Sequence, residues 1–344
     1  MALDLVDVLV CPACRASPLR HEALPIEGES RRDGVYWCTQ CERWYPEQDG
    51  LLELLDERLA YMDDRERFWA EHRDALTDLG LRESPPGAGI GDHDTEILHQ
   101  QEHFDWYADN PRQTYSQYEH LPFWQALDAM TFERWRLRIR PGSRVLDVGC
   151  AQGRSTFKIV RDDIDVVGFD ISKALIREAL DRVQTGARLT FFVGDASSLP
   201  FMDESFDFAL TYGVLHHLPD PAGICREIAR VLRPGGTFFA SENNRTIFRS
   251  AFELLQRIRP QWYEEAGAFA QISRRQLATW LEGAGLAASI RTSVFVPPHA
   301  LNHVRVDIGT RVLRSTDRVA AAVPGLRDNG GLVVAEAVKE PAWQ

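Results

Sequence analysis

The fold is decided by the stretch Val145-Leu-Asp-Val-Gly-Cys-Ala-Gln-Gly153. An apolar run that ends in the carboxylate of Asp147 and then breaks into glycines predicts a buried strand that opens onto a tight turn. A ligand can approach the backbone closely at such a turn, as nucleotides do at the carboxyl edge of a parallel sheet. The dinucleotide pattern Gly-x-Gly-x-x-Gly is not met, because the run offers only Gly149 and Gly153.

Further apolar runs follow this strand and alternate with helical patterns. The alternation predicts a parallel sheet with helices on its faces. The later strands are predicted at 166–170, 189–193, 206–212, 237–241, 285–296 and 332–338. Asp170 ends the second strand, where a carboxylate can accept hydrogen bonds from both hydroxyls of a ribose. A helix N-cap is the alternative role for that residue.

Five segments between 145 and 241 resemble, in the same order, the motifs of class I S-adenosylmethionine (SAM) methyltransferases. They include the glycine turn, Gly194-Asp-Ala-Ser-Ser-Leu-Pro-Phe201 and Gly213-Val-Leu-His-His-Leu-Pro-Asp-Pro221. Ala151 departs from the pattern, because a glycine is commoner there. The resemblance implies an α/β fold with a Rossmann-like, seven-stranded sheet in the order 3-2-1-4-5-7-6, covered by a helical lid.

The same resemblance implies a SAM site at the strand ends. Asp170 would bind the ribose, and Asp195 would meet the adenine amino group. A helix over 154–160 would turn its N-terminus towards the methionine carboxylate. The residues expected to bind the cofactor are Asp147, Gly149, Cys150, Ala151, Gly153, Asp170, Ile171, Asp195, Ala196 and Tyr212.

Two Cys-x-x-Cys pairs near the N-terminus indicate a metal site. They are Cys11 with Cys14 and Cys38 with Cys41, and 23 residues separate the two pairs. Four thiolates at this spacing predict one structural, tetrahedral zinc ion. Disulfides or redox dithiols are the alternative, but no thioredoxin-like context accompanies either pair.

The residues around these cysteines resemble the Trm112-like zinc-ribbon family. The resemblance lies in Leu9-Val-Cys-Pro12 and in Trp44-Tyr-Pro-Glu-Gln-Asp-Gly-Leu-Leu-Glu-Leu-Leu55. Free-standing members act as partners that stabilise methyltransferases, which implies a ribbon fused in cis here. Because a small module cannot bury the aromatic edge Tyr36, Trp37, Trp44 and Tyr45 alone, we expect that edge to dock on the methyltransferase domain or on a second subunit. An independent ribbon that recruits a partner is the alternative.

The chain is expected to divide into a zinc ribbon (1–55), a helical linker and lid (56–140) and a SAM-binding methyltransferase domain (141–344). The acidic tract 53–105 is expected to act as a tether, with a flexible break at Ser84–Gly91.

Aromatic tracts before the sheet are similar to the lid helices of many small-molecule methyltransferases. The candidates to close over the methionine end or the acceptor are Tyr107, Tyr115 and Tyr118. Packing of the lid onto the sheet is the alternative role for these side chains.

His216 and His217 follow the fourth strand, in a loop that would abut the methyl group. A hydroxyl acceptor needs a base, and neutral imidazole is well populated near pH 7. Either histidine is therefore a candidate catalytic residue. Paired histidines recur in this motif among enzymes with unrelated acceptors, so a role in shaping the loop is the alternative.

The formal net charge of −12 works against non-specific attraction to nucleic acid or anionic lipid. The start of the chain has no signal-peptide pattern, and no stretch approaches the length of a membrane span, so a cytoplasmic location is expected.

The sequence favours methyl transfer to a small molecule, with a hydroxyl of a sugar or secondary metabolite as the favoured acceptor. An RNA or protein methyltransferase that uses the ribbon for recognition, and a non-catalytic SAM-binding scaffold, remain alternatives. A homo-oligomer is also left open.

Overall fold

The computed structural model describes residues 5–24, 33–83, 91–110, 119–246 and 271–340. The strands are β1 Arg20–Ala23, β2 Gly34–Trp37, β3 Trp44–Gln48, β4 Leu51–Leu54, β5 Arg144–Val148, β6 Asp165–Asp170, β7 Leu189–Gly194, β8 Phe206–Tyr212, β9 Leu232–Asn243, β10 Leu286–Ser293 and β11 Leu332–Lys339. The helices are α1 Met62–Asp78, α2 Asp92–Asp109, α3 Pro122–Arg138, α4 Thr156–Ile159, α5 Lys173–Asp181, α6 Pro221–Val231, α7 Arg274–Gly283, α8 Pro298–Leu301 and α9 Val306–Ala322.

These strands form one mixed sheet in the order β1-β2-β3-β4-β7-β6-β5-β8-β9-β11-β10. The prediction of a seven-stranded sheet is therefore corrected to eleven strands. The part from β7 to β10 keeps the relative order that the family resemblance implied, and β11 runs antiparallel to β9 and β10. The remaining four strands come from the N-terminal ribbon, because it continues the sheet instead of forming a separate one.

The ribbon joins the sheet through strand β4, which pairs in parallel with β7. Leu52 lies beside Phe192, and Leu54 lies beside Gly194. Strand β4 leaves a hairpin turn at Asp49 and Gly50, whose φ angles of 53° and 77° are both positive, as a type I′ turn requires. This turn directs the ribbon's last strand along the free edge of β7.

The aromatic edge of the ribbon is buried against the rest of the chain. Tyr45 is 1% exposed and lies in the same apolar cluster as Phe192 of β7 and Phe201 of the loop that follows it. Trp44 packs against Phe68 and Trp69 of α1, at ring distances of 6.0 and 5.9 Å. Tyr45 therefore packs with residues of the sheet, whereas Trp44 packs on α1, which belongs to the predicted linker and lid region.

Three other expectations about the chain change or lie outside the described residues. The acidic tract 53–105 is not a simple tether, because it contains α1 and most of α2 and its Glu53 is 1% exposed. The helix expected at 154–160 is only the four-residue α4. The break expected at 84–91 falls almost wholly outside the described ranges.

No helix among the described residues is long and apolar enough to cross a membrane.

Candidate active site

The carboxyl ends of β5 to β9 open into one cavity of about 820 Å³. This volume lies within the usual range for small-molecule and cofactor sites. The predicted residues that line it are Gly149, Cys150, Ala151, Asp170, Ile171, Asp195, Ala196 and Tyr212 on the cofactor side, together with Tyr107, His216 and His217. Tyr115 and Tyr118 lie outside the described residues.

The turn after β5 has an unusual backbone at Ala151. Its φ of 48° is in the left-handed region, which is disfavoured for residues with a Cβ atom. The Ala151 N–H donates to Asp170 Oδ2 at 2.9 Å. The strained residue therefore links the first turn to the carboxylate that ends the next strand.

Two residues predicted to bind the cofactor, Asp147 and Gly153, are not among the residues that line the cavity. Asp147 lies fully buried behind the turn, where it accepts hydrogen bonds from the hydroxyls of Ser155 at 2.6 Å and Thr156 at 2.5 Å. Burial raises the pKa of Asp147 to about 6. A Cβ atom on Gly153 would lie 2.6 Å from the Phe157 ring, so the absence of a side chain allows close packing there. Both residues position the turn.

Asp170 is 8% exposed and lies on the cavity wall. It accepts backbone hydrogen bonds from Ala151 and, at 3.1 Å, from Ser172, while burial raises the pKa of its carboxyl group. A carboxylate has about four acceptor positions, so Asp170 can still accept from two hydroxyls. Asp195, one strand further along, accepts from the Ser197 N–H at 2.8 Å.

A cation that the sequence analysis missed lies where a helix N-terminus was expected. Arg154 lines the cavity directly after the glycine turn, and its side chain is 12% exposed. Its guanidinium lies 5.4 Å from the centre of the Tyr212 ring and donates to Asp128 of α3 at 2.9 Å. A basic residue next to the turn was the available signal. Since α4 has only four residues, the guanidinium is the better candidate for binding a carboxylate.

The loop after β8 brings His216 against a buried carboxylate. His216 Nδ1 lies 2.8 Å from Oε2 of Glu242, which is the penultimate residue of β9. Glu242 Oε1 accepts from the N–H groups of Val214 and Leu215, both at 3.1 Å. The Asn243 amide nitrogen lies 3.3 Å from His216 Nε2. Glu242 was missed, although a carboxylate at a strand end is the same signal that indicated Asp170.

Aromatic side chains from α2 and α3 close the other side of the cavity. Phe104 meets the His217 ring edge to face, with 5.2 Å between the ring centres. The two histidine rings are 4.1 Å apart. Tyr107, Phe123 and Trp124 also line this side. The cavity is therefore polar at the strand ends and aromatic opposite them.

A second site lies in the ribbon, where the four predicted cysteines converge. The Sγ atoms of Cys11 and Cys41 are 3.6 Å apart, and those of Cys14 and Cys38 are 3.5 Å apart. All four sulfurs lie within 4.8 Å of one another. Tetrahedral zinc with bonds of about 2.3 Å needs sulfurs roughly 3.8 Å apart, so this donor set fits the ion.

The strand order and the site together define a class of protein, the class I SAM-dependent methyltransferases. A family model described as a methyltransferase domain matches residues 146–240. A ubiquinone biosynthesis O-methyltransferase of Xanthomonas axonopodis pv. citri (strain 306) is 30% identical over 215 residues, which cover 60% of this chain and 85% of that protein. This chain belongs to the SAM-dependent methyltransferase family, and it is an enzyme of that type.

Two other similarities agree with this assignment. The 27-O-demethylrifamycin SV methyltransferase of Amycolatopsis mediterranei (strain S699) is 39% identical over 104 residues, which cover 29% of this chain and 38% of that protein. The phosphoethanolamine N-methyltransferase 2 of Haemonchus contortus, solved in complex with S-adenosyl-L-methionine, matches with a TM-score of 0.50 and 19% identity over 76% of this chain and 63% of that chain. The structural likeness supports the fold.

Proposed function

We propose that this methyltransferase transfers a methyl group to a hydroxyl of a small molecule, with His216 as the base. The observation that carries the proposal is the contact between His216 and the fully buried Glu242 at the wall of the cavity. One relative is named an O-methyltransferase, and another is named a 27-O-demethylrifamycin SV methyltransferase. Both names support a hydroxyl acceptor. An aromatic wall opposite the histidines supports an acceptor with an apolar body.

The cofactor half of the cavity, residues 149–151, 170–171 and 195–196, would hold SAM. Asp170 accepts the ribose hydroxyls, Asp195 meets the adenine amino group, and the Arg154 guanidinium pairs with the methionine carboxylate. These side chains suit those parts of SAM, because Asp170 and Asp195 are hydrogen-bond acceptors at strand ends and Arg154 is a cation directly after the turn. Bound SAM supplies an electrophilic methyl group on a sulfonium.

The acceptor half, formed by Phe104, Tyr107, Trp124, His216 and Glu242, would hold the hydroxyl. Glu242 accepts the Nδ1 proton of His216, so the lone pair lies on Nε2. Nε2 would accept the hydroxyl proton when the O–CH₃ bond forms and the S–CH₃ bond breaks, so that the sulfur leaves as a neutral thioether. Until the acceptor is bound, the Asn243 amide lies 3.3 Å from Nε2 and can donate to it. His217 packs between Phe104 and His216 and shapes the pocket. Placement of the acceptor in line with the methyl group supplies much of the remaining rate.

In the ribbon, Cys11, Cys14, Cys38 and Cys41 would hold one structural zinc ion. The set has four protein ligands and therefore no open position for chemistry. The hydroxyl of Tyr45 lies 3.1 Å from Cys11 Sγ, so it can donate to a bound thiolate. This side chain also belongs to the apolar cluster shared with the sheet. The ion would thus stabilise a module that continues the sheet of the methyltransferase.

The test is a labelling experiment with SAM that carries a radioactive methyl group. Cell extract is separated into small molecules, RNA and protein, and each fraction is offered to the wild-type chain and to Glu242→Gln. We expect label in the small-molecule fraction as a methyl ether, with much less label for the variant. Labelling of RNA or protein in preference to small molecules, or equal labelling by the variant, would contradict the proposal.

A further inference from the structure

The N-terminal ribbon contacts the loop that follows β7, where the adenine would lie. Val10 N–H donates to the Pro200 carbonyl at 3.0 Å, and the Met202 N–H donates to the Val8 carbonyl at 2.8 Å. The guanidinium of Arg15, the residue after the first cysteine pair, donates to the Leu199 carbonyl at 2.7 Å. These bonds hold the segment that begins at Asp195 from the side opposite the cavity.

The segment between the ribbon and α1 contacts the loop that follows β6, where the ribose would lie. The Tyr61 hydroxyl accepts the Lys173 N–H at 3.0 Å. It donates to the Asp105 carboxylate of α2 at 2.8 Å. Asp105 in turn accepts from the Ser172 hydroxyl at 2.6 Å. One hydroxyl therefore joins the residues directly after Asp170 to helix α2, which carries Phe104 and Tyr107.

A buried ion cluster lies beside this hydroxyl. Glu53 of β4 and Arg65 of α1 are 1% and 2% exposed, and the Arg65 Nε atom donates to Glu53 at 2.9 Å. The Lys173 ammonium lies 3.6 Å from the other Glu53 oxygen and also pairs with Asp64. Buried ion pairs stabilise a fold little more than apolar residues of similar volume would. Their directional contacts fix the position of Lys173, which begins α5 immediately after the ribose loop.

We propose that the ribbon and Tyr61 form the outer support of the adenosine site, and that Tyr61 and Arg15 are positioning residues for SAM binding. The inference rests on the proposed placement of SAM at Asp170 and Asp195. Glu227 and Arg230 of α6 also bond to Leu199, at 3.1 and 3.0 Å, and the contacts above add bonds from the ribbon and from Tyr61 that order both loops before a ligand arrives. Such preorganisation raises affinity, because less conformational entropy is lost on binding.

The test compares SAM binding by calorimetry in the full-length, metal-replete chain and three variants. Tyr61→Phe removes the hydroxyl that contacts the loop after β6. Arg15→Gln removes the guanidinium that contacts the loop after β7. His72→Gln is the matched control, because it breaks a buried contact of 2.9 Å between Asp33 of the ribbon region and α1 without a described contact to either loop. The melting temperature of each variant is measured alongside.

We expect Tyr61→Phe and Arg15→Gln to weaken SAM binding by about tenfold, within the usual range of coupling between sites. The control should bind SAM as the wild type does, even where its melting temperature falls. The inference would be overturned if both loop variants bound SAM with wild-type affinity. It would also be overturned if the control lost as much affinity as the loop variants. A wild-type chain that does not bind SAM would instead contradict the proposed function, on which the inference rests.

Discussion

The cofactor half and the acceptor half of the cavity differ in how the chain builds them. The cofactor half consists of short turns at the ends of β5, β6 and β7, each directly after a buried strand. The acceptor half collects side chains from α2, α3, the loop after β8 and the end of β9. Turns at strand ends can be located from local spacing, whereas side chains from distant segments meet only through the tertiary fold.

This difference predicts that the two halves fail separately when they are changed. Variants beneath the cofactor half should alter SAM affinity or stability, and variants of the histidine loop should alter turnover alone.

The largest effect is expected from loss of the zinc ion proposed for the ribbon. Metal analysis of chain purified without added zinc should return about one equivalent. Structural zinc contributes on the order of 10 kcal/mol to folding in small zinc-binding peptides. Cys38→Ala should therefore lower the melting temperature strongly and weaken SAM binding, because β4 continues the sheet beside β7.

Cys225→Ala is the control for that change, since Cys225 is also buried but lies outside the cysteine cluster. A wild-type chain that carries no metal and still melts cooperatively at the same temperature would refute the structural zinc site.

The next effect in size concerns turnover. General bases contribute roughly 10²- to 10⁴-fold to rates, so His216→Ala should slow methyl transfer by about a hundredfold or more. Glu242→Gln should also slow methyl transfer, because a neutral amide stabilises the protonated His216 ring less than a carboxylate does. SAM affinity should stay unchanged in both.

His217→Gln serves as the matched imidazole variant for this prediction. It should reduce turnover by less than His216→Ala, because Glu242 contacts only the His216 ring among the described hydrogen bonds of that carboxylate. A larger loss in His217→Gln would assign the base to the other histidine.

A smaller effect should appear in the pH dependence of stability. Burial raises the folded-state pKa of Asp147 to about 6, above its unfolded value. The stabilising contribution of the protonated carboxyl is then complete below about pH 4 and is lost as the pH rises through 6. The free energy of unfolding of the wild type, relative to Asp147→Asn, should fall by roughly 2 kcal/mol between pH 4 and pH 7.

Denaturant titration of the ligand-free wild type and Asp147→Asn at several pH values measures this difference. If the difference in the free energy of unfolding between the two proteins does not change with pH, the pKa of Asp147 is not raised on folding and the prediction is wrong.

The smallest effect is expected at the turn itself. Left-handed φ at Ala151 is disfavoured by roughly 1 kcal/mol for a residue with a Cβ atom, so Ala151→Gly should relieve that strain. The gain is reduced by the greater freedom of glycine in the unfolded chain. Thermal unfolding should show a melting temperature equal to or slightly above that of the wild type, and a marked decrease would count against the strain.

Much of the cofactor half could be predicted from sequence, and the particular residues show why. Asp170 and Asp195 follow buried strands, so apolar runs located them. Asp147 follows the same pattern but lies behind the turn, because the hydroxyls of Ser155 and Thr156 bind its carboxylate. Strand periodicity cannot distinguish a carboxylate that faces the cavity from one that faces the interior.

The acceptor half and the ribbon interface were less predictable for the same physical reason. Glu242 lies 26 residues beyond His216, and sequence spacing does not show that the ends of β8 and β9 are adjacent. Glu53 was counted as part of a solvated acidic tract, yet its partners Arg65 and Lys173 are 12 and 120 residues away. The sheet order that follows from the family resemblance brings such groups together, but it does not reveal that the ribbon extends the sheet.

The central claim, that the two halves of the cavity have separate functions, is tested most directly by calorimetric titration of SAM into three proteins. These are the wild type, Asp170→Ala and Glu242→Gln. We predict that Asp170→Ala binds SAM about a hundredfold more weakly, because two charge-assisted hydrogen bonds are lost, while Glu242→Gln binds it as the wild type does. Unchanged affinity in Asp170→Ala, or an equal loss of affinity in Glu242→Gln, would contradict the account.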